Sequence, residues 1–126
     1  MSFKTPLSRV RGLGSAKAGV GHFWAQRVTA AALVPLTVWF LASVVAYVGA
    51  DYDATITYLK HPFVAVLLLL FIGATLWHTQ LGLQVIVEDY IHRESTKIAL
   101  IVLVTFFAIG LFAIAAMSIL EIALAR

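Results

Sequence analysis

The chain has 126 residues, 62% of them apolar and only 12% charged, with a formal net charge of +3 and a mean hydropathy of +0.98. A soluble domain is nearer about half apolar and about a quarter charged, because it must cover its core with a polar surface. The surplus here requires an apolar solvent, which excludes a soluble enzyme, a disordered chain and a nucleic-acid reader despite the basic balance. The absence of cysteine removes disulfides, thiolate zinc sites, iron–sulfur ligation and a cysteine nucleophile together.

In chain order, the arm over residues 1–23 carries Lys4, Arg9, Arg11 and Lys17 and no acidic residue. Such an arm is expected on the membrane surface or against a cytoplasmic partner, its cations facing anionic lipid. A transit peptide has the same outline. Against it, the apolar run that follows is too long for a secretory h-region and ends in no small-residue cleavage site. That run, Val28 to Ala50, has 23 residues without a charge. A second, Phe63 to Val87, has 25 and is polar only at Thr75, His78, Thr79, Gln80 and Gln84. A third, Ile98 to Leu120, has 23 and is polar only at Thr105 and Ser118. A bilayer core of roughly 30 Å needs about 20 helical residues, so each run is long enough to cross.

The expected fold is therefore an all-α membrane protein with three transmembrane helices. It forms a single domain over 1–126, with spans at about 24–50, 63–88 and 98–121. No run alternates with period two, and so short a chain could not close a barrel. Pro35 falls inside the first span, where a kink is expected, and Pro62 falls at the first turn of the second, where proline fits. Seven of the nine lysines and arginines lie in the arm up to Arg27 or in the second loop, as Arg93 and Lys97. Only Lys60 and Arg126 lie opposite, so the N-terminus is expected in the cytoplasm and the C-terminus outside.

An ionisable side chain at membrane depth is a functional candidate by default. His78 is ten residues before Glu88, hence roughly 15 Å from the cytoplasmic end of its helix. A charged imidazolium is costly there, so a neutral ring with one nitrogen free for a metal is expected. At 100° per residue, Thr75, Gly82 and Val85 share its face. Gly82, one turn along, leaves room for a flat macrocycle. The alternative is a histidine bonded to a neighbouring helix, with Gly82 serving close packing. One histidine cannot supply both axial ligands of a haem, so a haem would need a second ligand from another chain.

Asp89 returns to the face of His78 three turns below, and Tyr90 stands about 120° round at interface depth. There a phenol can bury its ring while its hydroxyl reaches a polar ligand, although an aromatic-belt tyrosine beside helix-terminal carboxylates gives the same pattern. Gly21, His22, Phe23, Trp24 and Arg27 enter the membrane on the same side, so one pocket could draw on both helices. Arg27 could serve as an anchor or pair with an anion. His61 and His92 fall outside the spans and are expected to be solvated.

The segment from His78 through Gly82 to Asp89 and Tyr90 resembles the small hydrophobic anchor subunit (D-type) of succinate dehydrogenase, respiratory complex II. The offsets of four, eleven and twelve residues from the histidine match that family's pattern. Gly21-His22-Phe23-Trp24 followed by Arg27 looks like the family's approach to its first span. The resemblance implies that His78 is an axial ligand of a b-type haem shared with a second, C-type anchor. It also implies that Tyr90 hydrogen-bonds a quinone, with ubiquinone expected, and that Asp89 holds the local polar network. Arg27 and His22 would lie near the haem propionates and the quinone pocket, with Gly82 giving the haem room. The implied partners are the C-type anchor, an iron–sulfur subunit and a flavoprotein subunit, in a bacterial inner membrane. Electrons from succinate would leave the iron–sulfur subunit and reduce quinone.

A lone three-helix chain offers too small a core to hold a haem, so the chain is expected to require its second anchor. The competing reading is a haem-free structural or assembly subunit of a respiratory complex. A small transporter is disfavoured, because the spans hold one buried ionisable group and no broken helices in paired halves.

Overall fold

A computed structural model describes residues 17–125, so the basic arm with Lys4, Arg9 and Arg11, and the terminal Arg126, lie outside the described residues. Four helices follow one another: α1 Lys17–Tyr47, α2 Tyr52–Leu59, α3 Pro62–Tyr90 and α4 Glu94–Leu124. Three of them, α1, α3 and α4, are long and apolar enough to cross a membrane, and no strand occurs among the described residues.

The boundaries have local causes. Helix α1 runs unbroken through Pro35 but stops at Tyr47, three residues short of the expected Ala50. Gly49 adopts a φ of +82°, and the Ala50 amide donates back to the Tyr47 carbonyl at 3.1 Å. A left-handed glycine just past the last turn is the usual way a helix closes. Helix α2 is not among the expected elements. Asp51 caps it, its carboxylate accepting from the Ala54 amide at 2.8 Å. Helix α3 starts where Pro62 fits the first turn, and His61 Nδ1 accepts from the Phe63 amide at 3.3 Å. His61 and His92 are both exposed.

Helix α3 is the centre of the fold, with α1 and α4 each packed on it and α2 touching α3 and α4. Phe40 of α1 stacks on Phe71 of α3 with centroids 4.7 Å apart, and Gly73 of α3 lets Phe112 of α4 approach closely. Tyr47 and Tyr58 stack at 4.3 Å near the other end, where Tyr58 and Ser43 share a hydroxyl–hydroxyl bond of 2.7 Å. Burial is slight: Val64, Ala65, Leu81 and Thr29 are the only buried residues described. Helix α4 has none and exposes Phe106, Phe107 and Met117. Apolar faces this open must meet lipid tails or apolar partner helices.

Candidate functional site

Three of the four buried residues are aliphatic; the fourth is Thr29, 4% exposed, at the contact between α1 and α3. Its hydroxyl lies 2.8 Å from the Ala25 carbonyl and 3.1 Å from that of Gln26, so it bonds back onto its own helix. The same oxygen lies 3.0 Å from Nδ1 of His78, halfway along α3. The other ring nitrogen, Nε2, is 3.5 Å from the Gln26 amide nitrogen. A threonine and a glutamine one turn apart on α1 thus bracket one imidazole on α3.

His78 stands where two clefts meet. The first, about 620 Å³, is lined by Gly19, His22, Gln26, Arg27, Gln84 and Glu88, among others. Its polarity comes from both helices. The second, about 410 Å³, runs along α1 past Leu33, Val34 and Val38 and is apolar apart from Thr37 and His78. Within the first cleft, His22 Nε2 and Gln26 Oε1 are buried with no hydrogen-bond partner among the described residues. Buried polar atoms are rarely left unpaired, so these two ask for a ligand or a partner group. The Arg27 guanidinium lies 5.2 Å from the Phe23 ring centroid, and Arg27 is exposed where it lines the first cleft.

The remaining candidates lie elsewhere. Gly82 does not line either cleft; a Cβ built on it would stand 3.8 Å from the Gln26 amide, so its bareness faces Gln26. Asp89 and Tyr90 share the end of α3 but are exposed, Tyr90 at 76%, and neither lines the cleft. Along that helix edge, Gln80, Gln84 and Glu88 form a ladder. The Gln80 amide donates to Gln84 at 3.4 Å and to the Thr105 hydroxyl of α4 at 3.3 Å. The Gln84 amide donates to the Glu88 carboxylate at 2.8 Å. No group of three or more metal-ligating side chains occurs among the described residues. His78 is the one described histidine within a span whose ring nitrogens meet another helix.

With the cleft around His78 described, similarity over most of the chain gives its family. Residues 1–112 match the family described as succinate dehydrogenase/fumarate reductase transmembrane subunit. The chain belongs to that family. Proteins named succinate dehydrogenase hydrophobic membrane anchor subunit are similar to it. That of Rickettsia bellii is 36% identical over 107 residues, covering 85% of this chain and 86% of the relative. That of Paracoccus denitrificans is 32% identical over 123 residues, covering 94% and 95%. The succinate dehydrogenase membrane anchor subunit of Reclinomonas americana is 36% identical over 96 residues, covering 74% and 80%. No solved structure matches the chain. As a family member the chain is a multi-pass membrane protein, and its three long helices agree.

Sequence reasoning placed His22, Arg27 and His78 among the site residues, and the structure brings these three to one cleft. It passed over Gln26 and Thr29. Gln26 could have been found: a carboxamide one residue before the arginine of a span is costly unless bonded. Thr29 gave no such signal, because a lone threonine in a span satisfies itself on its own helix.

Proposed function

We propose that the chain is a membrane anchor of a succinate:quinone oxidoreductase that supplies His78 as one axial ligand of a b-type haem and forms part of the quinone-reduction site. The observation that carries this reading is the placement of His78, an imidazole at mid-span whose Nε2 meets only a contact at the limit of a hydrogen bond. The residues present fit such a group. The two clefts meeting at His78 are apolar on one side and polar on the other, which suits a flat ligand with an apolar body and carboxylates at one edge. Arg27 and His22, whose Nε2 has no partner among the described residues, stand at the polar side, where carboxylates would be received. The second axial ligand would come from a C-type anchor packed on the exposed faces of this chain. When bound, the haem supplies a one-electron ferric–ferrous couple.

The quinone site would lie at the end of α3 near Tyr90, open in this chain alone and completed by the iron–sulfur subunit and the C-type anchor. The Tyr90 hydroxyl would donate to a quinone carbonyl, and Asp89 would hold that hydroxyl in place. Reduction to quinol takes two electrons, delivered from succinate through the flavoprotein and iron–sulfur subunits, and two protons. In the expected orientation these protons reach the site from the cytoplasm, in a bacterial inner membrane.

The test is a reduced-minus-oxidised spectrum of the complex purified through a tag on this chain. A b-type signal, with flavoprotein and iron–sulfur subunits present, is expected in the wild type and lost in His78→Ala. A second reading, a haem-free structural subunit, draws on the fact that both ring nitrogens of His78 have protein neighbours. It predicts those subunits with no haem signal in either protein.

A further inference from the structure

We propose that Thr29 is a positioning residue for His78: its hydroxyl accepts the Nδ1 proton, holds the ring in one tautomer and orientation, and leaves Nε2 as the atom offered to iron. The inference rests on the haem reading above and adds to it a residue from the other helix.

The argument is one of satisfiability. The Thr29 hydroxyl has a single proton and three neighbours: the Ala25 carbonyl at 2.8 Å, the Gln26 carbonyl at 3.1 Å and His78 Nδ1 at 3.0 Å. The carbonyls can only accept, and the nearest of the three neighbours, the Ala25 carbonyl, takes that proton in the usual back-bond of a helical threonine. Nδ1 is then paired only if it carries its own proton and donates to the hydroxyl. The contact on the opposite side of the ring points the same way. As placed, the Gln26 amide nitrogen can only donate, and it pairs with Nε2 where that nitrogen keeps its lone pair. One tautomer satisfies both contacts, which come from different side chains: Nδ1 protonated and Nε2 available.

Thr29 is well placed to hold that arrangement. It is 4% exposed, so no water competes for the proton it receives, and its back-bond keeps its own rotamer fixed. A metal-bound histidine gains basicity and a set ring plane from an acceptor at its other nitrogen, and loss of that acceptor typically weakens metal binding about 10–100-fold. Gln26 is the opposite case. Its contact to Nε2, at 3.5 Å, is long, and iron at that nitrogen would take its place.

The test uses the whole complex, purified through a tag on this chain, with Thr29→Val, Thr29→Ala and Thr29→Ser beside the wild type and His78→Ala. The readouts are haem per flavin, the low-spin haem electron-paramagnetic-resonance signal and a redox titration of the haem. Without the acceptor the imidazole is a poorer donor to ferric iron. Thr29→Val should therefore lose haem and shift the midpoint potential of what remains upward, by about 59 mV for each tenfold loss of ferric over ferrous binding. Thr29→Ser, which keeps the hydroxyl, should restore both. If Thr29→Val fails to assemble, Thr29→Ala carries the same expectation without added bulk at the β-carbon. Wild-type haem content, signal and potential in the hydroxyl-free variants overturn the proposal while His78 remains the ligand. The same holds if Thr29→Ser behaves like Thr29→Val. A wild-type complex without haem, or haem retained in His78→Ala, overturns the haem reading itself and this inference with it.

Discussion

Gly82 offers the sharpest test of how the site is built, because its missing side chain has two explanations with opposite consequences. A macrocycle lying against α3 would need that space empty. In this structure the space faces Gln26, and a Cβ at Gly82 would sit 3.8 Å from the Gln26 amide nitrogen, an ordinary van der Waals distance. The added methyl therefore meets no clash and gains about 0.1–0.2 kcal/mol per close atom pair. Replacing glycine by alanine within a helix is worth a further gain of up to about 1 kcal/mol. Gly82→Ala is thus expected to assemble at least as well as wild type and to keep its haem. Gly73 supplies the contrast on the same helix. There a Cβ would stand 3.2 Å from Phe112 Cε2 and 3.8 Å from two further ring carbons, so the ring must move. The ring is 38% exposed beside an open cleft and need give by only a few tenths of an ångström, so its cost, at the low end of the about 1–3 kcal/mol of overpacking, is set against the same helix gain. The thermal transition of the purified complex should hold or rise in Gly82→Ala and lie lower in Gly73→Ala than in Gly82→Ala. Haem-to-flavin ratio is the deciding assay. If Gly82→Ala halves that ratio while the flavoprotein and iron–sulfur subunits still co-purify, the reasoning fails, and the glycine makes room for the cofactor.

Further outcomes are expected. Tyr58→Phe removes the 2.7 Å bond to Ser43 but keeps the stack on Tyr47, so it should cost about 0.5–1.5 kcal/mol in thermal stability and leave haem content unchanged. Asp51→Ala removes the cap of α2 at about 0.5–2 kcal/mol and should speed proteolysis of that segment without altering haem. Arg27→Gln should lower haem retention or quinone reduction more as salt is reduced, because a charged group lining the cleft is lost; equal activity at all salt concentrations argues against a role for that charge. The chain has no cysteine, so single Lys60→Cys and Lys97→Cys variants report orientation. A membrane-impermeant maleimide should label the first from outside intact cells and the second only in inverted vesicles. The reverse pattern inverts the assigned topology.

Much of this protein was legible before any coordinates. Three charge-free runs and a surplus of apolar residues fix the number of membrane helices, because bilayer thickness sets a length and lipid accepts no charge. His78 stood out for the same reason: at mid-span an ionisable group is rare enough to be noticed alone. Periodicity also placed Asp89 on the face of His78, but an angular match gives direction and not depth. Eleven residues separate them by about 16 Å along the axis, and the cleft reaches Gln84 and Glu88 without including Asp89 or Tyr90.

Only packing decided which helix meets His78 and at what height. Thr29 and Gln26 lie 49 and 52 residues away in sequence, and nothing in their local pattern names a partner. In a membrane, helices attract one another through shape and a few polar contacts rather than through an apolar stripe that could be read from the chain. The bond between Thr29 and His78 is such a contact, and it exists only once α1 and α3 are side by side. The same packing turned Gly82 toward Gln26, which its position four residues beyond the histidine could not reveal. Sequence set the elements and their depth in the bilayer; the tertiary contact between two helices set the chemistry of the imidazole, because a tautomer depends on which neighbour takes the proton.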